Sequence, residues 1–262
     1  MAYILYENYS PEIVIITLNR PDRLNAMGQQ LRYEFEQALD RYNQDSQSKA
    51  AILTGAGRAF CAGIDVKERA EHYGSQSLQH LSRTQIFNEY GTADRIKPVI
   101  AAVRGYCLGA GLNIIMTPNC DIRIAGENAL FGMPEVDIGL MCLTSPFASQ
   151  YLHASLLSEL LLVGDPFSAQ KAYELGLISR VVPDEDVMST AIKLAERIAT
   201  KSPSAIRKTK MNMLKTFEPT SAALAWEKYL GQHPSTEHDA KEGALAFVEK
   251  RNPVWEGDKI IP

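Results

Sequence analysis

Pro98-Val99-Ile100-Ala101-Ala102-Val103-Arg104-Gly105-Tyr106-Cys107-Leu108-Gly109-Ala110-Gly111 is the stretch whose reading decides the fold. Val99 to Val103, opened by a proline and closed by Gly105, predicts a core strand. From Gly111 to Met116 the pattern predicts a helix start. The first N–H groups of a helix have no intrahelical partner and carry partial positive charge. Glycine and alanine are too small to cover them. A second stretch of the same kind lies far upstream: the strand Ala50 to Leu53, then Gly55-Ala56-Gly57, then Phe60-Cys61-Ala62-Gly63-Ile64-Asp65. If the two converge, their amides form an oxyanion hole, in which one donor is typically worth ~10²–10³ in rate. Taken singly, each glycine segment reads as a device for tight strand–helix packing.

Neither segment is a dinucleotide fingerprint. That motif needs a third glycine three residues on, and those positions are Phe60 and Ile114. No Walker sequence is present.

Further strands are predicted at Ile13 to Leu18, paired with Ile4 to Tyr6 through a turn at Ser10-Pro11, and at Cys120 to Ala125. From about Gly28 a helix buries Leu31, Phe35, Ala38, Leu39 and Tyr42 on one face. Strands alternating with helices give an α/β fold with parallel pairing. After about residue 185 the chain reads as helical: Val187 to Ile198, Ser204 to Phe217, Ala222 to Leu230 and Thr236 to Lys250, punctuated by Pro203, Pro219 and Pro234. The expected division is a core of residues 1–185 and a helical region of 186–262. The helical region offers no strands of its own to pack on. It either covers its own core or buries its apolar faces against a neighbour.

A formal charge of −4 argues against a nucleic-acid footprint, which needs a basic stripe. Cys61, Cys107, Cys120 and Cys142 form no CxxC pair and read as reduced, buried residues of a cytoplasmic protein. The histidines form no zinc-ligand spacing, so no metal is expected. There is no signal-peptide pattern at Met1-Ala2-Tyr3-Ile4, and no apolar run approaches the ~20 residues of a membrane span.

Glu135 lies in Phe131-Gly132-Met133-Pro134-Glu135-Val136-Asp137-Ile138-Gly139. An apolar, glycine-bracketed setting raises a carboxyl pKa towards a value useful in acid–base catalysis. The alternative is a solvated loop acid. Asp137 shares its face if the segment is extended, and reads as solvated or salt-bridged.

These segments together resemble the crotonase superfamily, also called enoyl-CoA hydratase/isomerase. Leu18-Asn19-Arg20-Pro21-Asp22-Arg23-Leu24-Asn25-Ala26 is similar to its N-terminal signature. Phe60 to Asp65 and Gly105 to Gly111 resemble its two oxyanion segments, and Phe131 to Gly139 its Pro-Glu catalytic segment. Ala169 to Val182 and Ala246-Phe247-Val248-Glu249-Lys250-Arg251 are similar too, so the likeness runs almost end to end. The resemblance implies a spiral of ββα turns with a C-terminal helical trimerisation region, assembled as a trimer or a dimer of trimers. It implies an acyl-CoA thioester substrate, with coenzyme A entering as part of the substrate and no separate cofactor. By the same resemblance, Ile64 and Ala110 donate the two amides to the thioester oxygen, and Glu135 is the catalytic acid/base. Ala62, Asp65 and Val66 line the CoA channel, and Arg23 and Ala26 lie near the CoA body. Gly63, Leu108 and Met133 count with the substrate-binding residues. Lys67, or Phe247 and Lys250 from a neighbouring subunit, reach the adenine end.

The departures carry information. Typical hydratases have two glutamates, and the first falls here at Asn113, which cannot exchange a proton as a carboxylate does. An excess of residues around Thr117-Pro118 shifts the alignment, but no Glu or Asp lies between Gly111 and Asp121. Leu143 stands where some isomerases place an acid and dehalogenases a nucleophilic aspartate, and Ile138 to Ser149 lacks the glycine-rich stretch usual in hydratases. The first expectation is therefore hydration of an α,β-unsaturated acyl-CoA by Glu135, with Asn113 orienting the water. A hydratase-lyase of the hydroxycinnamoyl-CoA type, an isomerase, and a non-catalytic CoA-ester binder remain as alternatives. The acyl pocket is expected between Glu68 and Asp94 and from Met133 to Phe147, with Tyr73, Phe87, Tyr90, Met141 and Phe147 as candidate walls.

Overall fold

The computed structural model describes residues 2–72, 96–117, 119–142, 148–216, 225 and 234–255. Among the described residues ten strands form two sheets. The larger runs in the order β1 (Ile4–Ser10), β2 (Ile13–Leu18), β3 (Ala50–Gly55), β5 (Val99–Val103), β7 (Ile122–Gly126), β10 (Arg180–Val182). The smaller runs β4 (Ala59–Cys61), β6 (Tyr106–Leu108), β8 (Leu130–Gly132), β9 (Phe167–Ser168). Only β1–β2 and β8–β9 pair antiparallel; every other neighbour is parallel.

The chain places one strand in the large sheet and the next in the small one, three times over: β3 then β4, β5 then β6, β7 then β8. After β4 comes α2 (Val66–His72), after β6 comes α3 (Ala110–Met116), and after β8 a 3-10 turn, Pro134–Ile138. This is the expected ββα spiral. Both sheets advance in the same order, so the three strand-to-helix junctions of the small sheet lie side by side.

β3 is buried at every residue, which explains its unbroken apolar reading. One face of the large sheet (Val14, Ile16, Leu18, Ala51, Leu53, Ala101, Val103) packs with Leu31, Phe35, Ala38, Leu39 and Tyr42 of α1 (Gln29–Gln44). The opposite face (Ile13, Ala50, Ile52, Ile100, Ala102, Ile124) packs with Val187, Ala191, Ala195 and Ala199 of α6 (Val187–Ala199). The first helix after residue 185 thus covers the protein's own sheet, one of the two arrangements the sequence left open for this region. The alanine stripe sets how closely α6 sits on the strands.

The remaining α-helices among the described residues are α4 (Ala154–Leu162), α5 (Ala169–Glu174), α7 (Pro203–Thr216) and α8 (Pro234–Glu249). The helix expected at Ala222 to Leu230 lies outside the described residues except for Ala225, which is helical; the wall candidates Tyr73, Phe87, Tyr90 and Phe147, and Leu143, lie outside them entirely. The strand expected from Cys120 starts at Ile122 instead. Asp121 is held earlier, its N–H donating to Val99 O and its carboxylate accepting from Val99 N and Lys210 Nζ.

Candidate active site

The small sheet's register builds the site. Cys61 pairs with Cys107, and Leu108 with Gly132. Carried a few residues past the strand ends, this parallel register brings Ile64 abreast of Ala110 and Gly109 abreast of Met133. Ligands of open parallel sheets bind at these carboxyl ends.

The first amide is freed by its neighbours. Met27 N–H donates to Gly63 O at 2.7 Å, Asp65 N–H to Met27 O at 3.1 Å, and Ala62 N–H to Leu24 O at 3.0 Å. Residues 62–65 are clamped to the Leu24–Met27 loop on both sides of Ile64, whose own N–H donates to no described residue. The clamp rests on Asn25, fully buried and left-handed at φ 56°. Its Nδ2 donates to Ala56 O and Ala59 O, and its Oδ1 accepts from Arg20 N–H. Asn tolerates this backbone better than most residues. Asp65 has a related duty: its Oδ1 accepts from Glu68 N–H at the start of α2, and its Oδ2 meets Arg20 Nη1 at 2.7 Å. Asp65 borders the cavity, but its carboxylate is already engaged.

The second amide, Ala110 N–H, is the first of α3 and also donates to no described residue. Gly109 before it has φ 49° and donates to Gly132 O at 2.8 Å. A Cβ built on Gly109 would stand 3.4 Å from Gly63 Cα and 2.6 Å from Glu135 Oε1. Glycine is therefore required at 109, and the same measurement shows that both glycine-rich segments and Glu135 meet at one point. Gly111 is needed too, since a Cβ there would lie 2.6 Å from Cys61 O.

Glu135 sits in the 3-10 turn, which replaces the extended form considered for Asp137. Its residue is 8% exposed, and its buried Oε2 has no hydrogen-bond partner among the described residues. Burial pushes its carboxyl up to about 7. The Cys61 and Cys142 thiols are pushed up to about 12, chiefly by burial and further by the Glu135 charge, so both are neutral. Asp137 is exposed. Asn113 is buried on α3, and its Oδ1 has no partner among the described residues. On the same helix Asn113 follows Gly109 by one turn, and its backbone N–H donates to Gly109 O at 2.9 Å.

A cavity of about 690 Å³ opens over this point. Its wall includes Gly109 and, of the residues singled out in the sequence, Arg23, Ala26, Ala62, Gly63, Ile64, Asp65, Val66, Lys67, Leu108 and Glu135. Met133, Ala110, Asn113 and Lys250 are not among its lining residues: Met133, Ala110 and Asn113 are buried, and Lys250 is exposed. Phe247 lines the cavity of its own chain, whereas the resemblance implied a neighbouring subunit. Sequence reasoning missed Arg58, Gly243 and Pro253. Arg58 lies two residues before Phe60, where the first glycine-rich segment starts, and was open to discovery by proximity. Gly243 and Pro253 carry no sequence signal of a site.

The spiral, with two free amides and a buried carboxyl at its strand ends, defines the class: an enzyme core of the crotonase type. The comparisons agree. A model described as enoyl-CoA hydratase/isomerase matches residues 8–258, and the chain belongs to this family. A probable mitochondrial enoyl-CoA hydratase from Dictyostelium discoideum is 36% identical over 92% of this chain and 86% of its own length. A mitochondrial enoyl-CoA hydratase from Pongo abelii is 40% identical over 90% of this chain and 81% of its own. Among solved structures, a carnitinyl-CoA dehydratase from Mycobacterium avium superposes with a TM-score of 0.81 at 30% identity, covering 98% of this chain and 99% of that one.

Proposed function

We propose that this enzyme hydrates α,β-unsaturated acyl-CoA thioesters, and runs the reverse dehydration, with Glu135 as its acid–base group. One observation carries the reading: a buried carboxyl with an unpartnered oxygen faces the glycine that precedes one free amide and touches the segment that supplies the other.

The chemistry follows from those positions. Ile64 and Ala110 N–H groups hold the thioester oxygen and favour the negative charge that develops there. Asn113 and Glu135 hold a water over the β-carbon. The Glu135 carboxylate takes a proton from that water as its oxygen bonds to the β-carbon, and the π electrons move towards the thioester. The enolate then collapses, taking a proton from Glu135 at the α-carbon. One water has been added and the carboxylate is restored. Arg23, Arg58 and Lys67 at the mouth suit the phosphates of CoA, and Phe247 suits its adenine. The working unit we propose is a trimer or a dimer of trimers, with residues 186–262 contributing the contacts. The proposed compartment is the cytoplasm, supported by four free, buried thiols; no described helix is long and apolar enough to cross a membrane.

The test is Glu135→Gln. Hydration of crotonyl-CoA, followed by mass, is expected to fall by ~10²–10⁴, while CoA-ester binding measured by calorimetry is retained. A rate near that of the native protein would reject the assignment. Asn113 in place of a second carboxyl favours one further reading, cleavage of a β-hydroxyacyl-CoA. A panel of aromatic CoA esters separates the two, since cleavage splits the acyl chain and hydration only adds water.

A further inference from the structure

The C-terminal helix α8 lies against the turn that carries Glu135, and the contact is backbone on backbone. A Cβ on Gly243 would fall 2.8 Å from Ile138 Cα and closer still to the Ile138 carbonyl. On the other side of the contact, a Cβ on Gly139 would fall 2.9 Å from Trp255 Cζ3 and would strike the Asp239 carbonyl. Each glycine makes room for the other segment's main chain, the close approach only glycine allows. Ala240 and Ala244, on the same face of α8 as Gly243, are buried as well.

The turn transmits this contact to the carboxyl. Gly139, left-handed at φ 66°, donates to Val136 O, and Leu140 N–H donates to Glu135 O at 2.9 Å. Residues 135–140 therefore move as a unit. The far end of α8 is pinned in turn. Arg251 Nη1 and Nη2 fork onto Glu242 Oε1 and Oε2 at 2.5 and 3.0 Å, and Val254 N–H donates to Glu242 Oε1 at 2.8 Å. That hold keeps Trp255 over Gly139.

We propose that α8 is the positioning element of the catalytic turn, and that its close approach, Gly243 on Ile138 and Gly139 on Asp239, sets how deeply the Glu135 carboxyl is buried. This rests on the reading of Glu135 as the acid–base group. The charged groups sharing its cavity are Asp137 on its own turn, Asp22, Arg23 and Arg58 on the loops, Asp65 and Lys67 at the start of α2, and Arg251 after α8. The neighbouring Cys61 and Cys142 thiols are neutral. A variant at Gly243 changes none of these groups.

The experiment measures kcat and KM for crotonyl-CoA between pH 5.5 and 9 in the full chain and in Gly243→Ala, Trp255→Ala, Lys241→Ala and Glu135→Gln. Displacing the turn lets water reach the carboxyl, so the rising limb of kcat against pH should move to lower pH in G243A. The shift should be smaller in W255A, which removes the ring without forcing a new atom into the contact. The maximal kcat of G243A should fall by ~10²-fold, the usual cost of a misplacement of about 1 Å. K241A, exposed on the same helix, should match the native protein. Circular dichroism checks each fold; if G243A does not fold, W255A decides. Folded variants whose limb and kcat stay in place would overturn the proposal while E135Q remained inactive. An active E135Q with the native limb would instead remove the acid–base reading itself.

Discussion

In the proposed mechanism Glu135 links catalysis to stability. Its carboxyl is raised from 4.5 to about 7 by burial, so the folded protein holds a proton there that the unfolded chain releases. Where the folded state binds more protons, stability falls as pH rises. The loss begins near the unfolded value and is complete above the folded one. The window is therefore about pH 4.5 to 7, and the amount on the order of 3 kcal/mol. Glu135→Gln lacks this dependence. Urea unfolding of both proteins should show the variant gaining stability over the native protein across that window and keeping the gain at pH 8. Parallel curves for the two would contradict the assigned burial. The high value also favours catalysis, since a carboxyl that titrates near neutrality both takes and returns a proton readily.

At the scale of elements, buried cations tie the helices to the large sheet. Lys210 on α7 donates to Lys97 O and to Asp121 Oδ2, both at 2.9 Å, and Asp121 also accepts from Val99 N–H. Lys97 in turn donates to the Tyr42 and Asp45 carbonyls at the end of α1. Lys210→Met leaves Asp121 partly buried without its cation. A loss of about 2 kcal/mol is expected in chemical denaturation, below the fully buried limit because the Asp121 side chain is 20% exposed. The sequence displayed these elements unevenly. β2, β3 and β5 were readable because apolar runs between turn residues have few other uses. The strands β4, β6 and β8 were not, since three residues carry no periodicity, yet their register aligns the site. Glu135 was readable as a residue in apolar company. The 3-10 form of its turn was not, and neither was the packing of α6 on its own sheet, where alanines at helical spacing leave open which surface they meet.

The whole molecule is a device for bringing distant segments of one chain to a point. Gly63, Gly109 and Glu135 each follow a different strand of the small sheet, and the spiral makes those strands neighbours. α8 then returns over the cavity and supplies Gly243, Ala246 and Phe247 to its wall. Family membership accounts for the spiral and for the class of substrate. In the proposed mechanism Glu135 is the single carboxyl that handles both protons, with Asn113 orienting the water. The account turns on the two amides. The most direct measurement is a crystal structure of the protein with a saturated acyl-CoA thioester bound. The thioester oxygen should lie about 2.7–3.1 Å from both Ile64 N and Ala110 N, with the α-carbon beside the Glu135 carboxyl. An oxygen bound elsewhere, or reached by only one of the two amides, would contradict it.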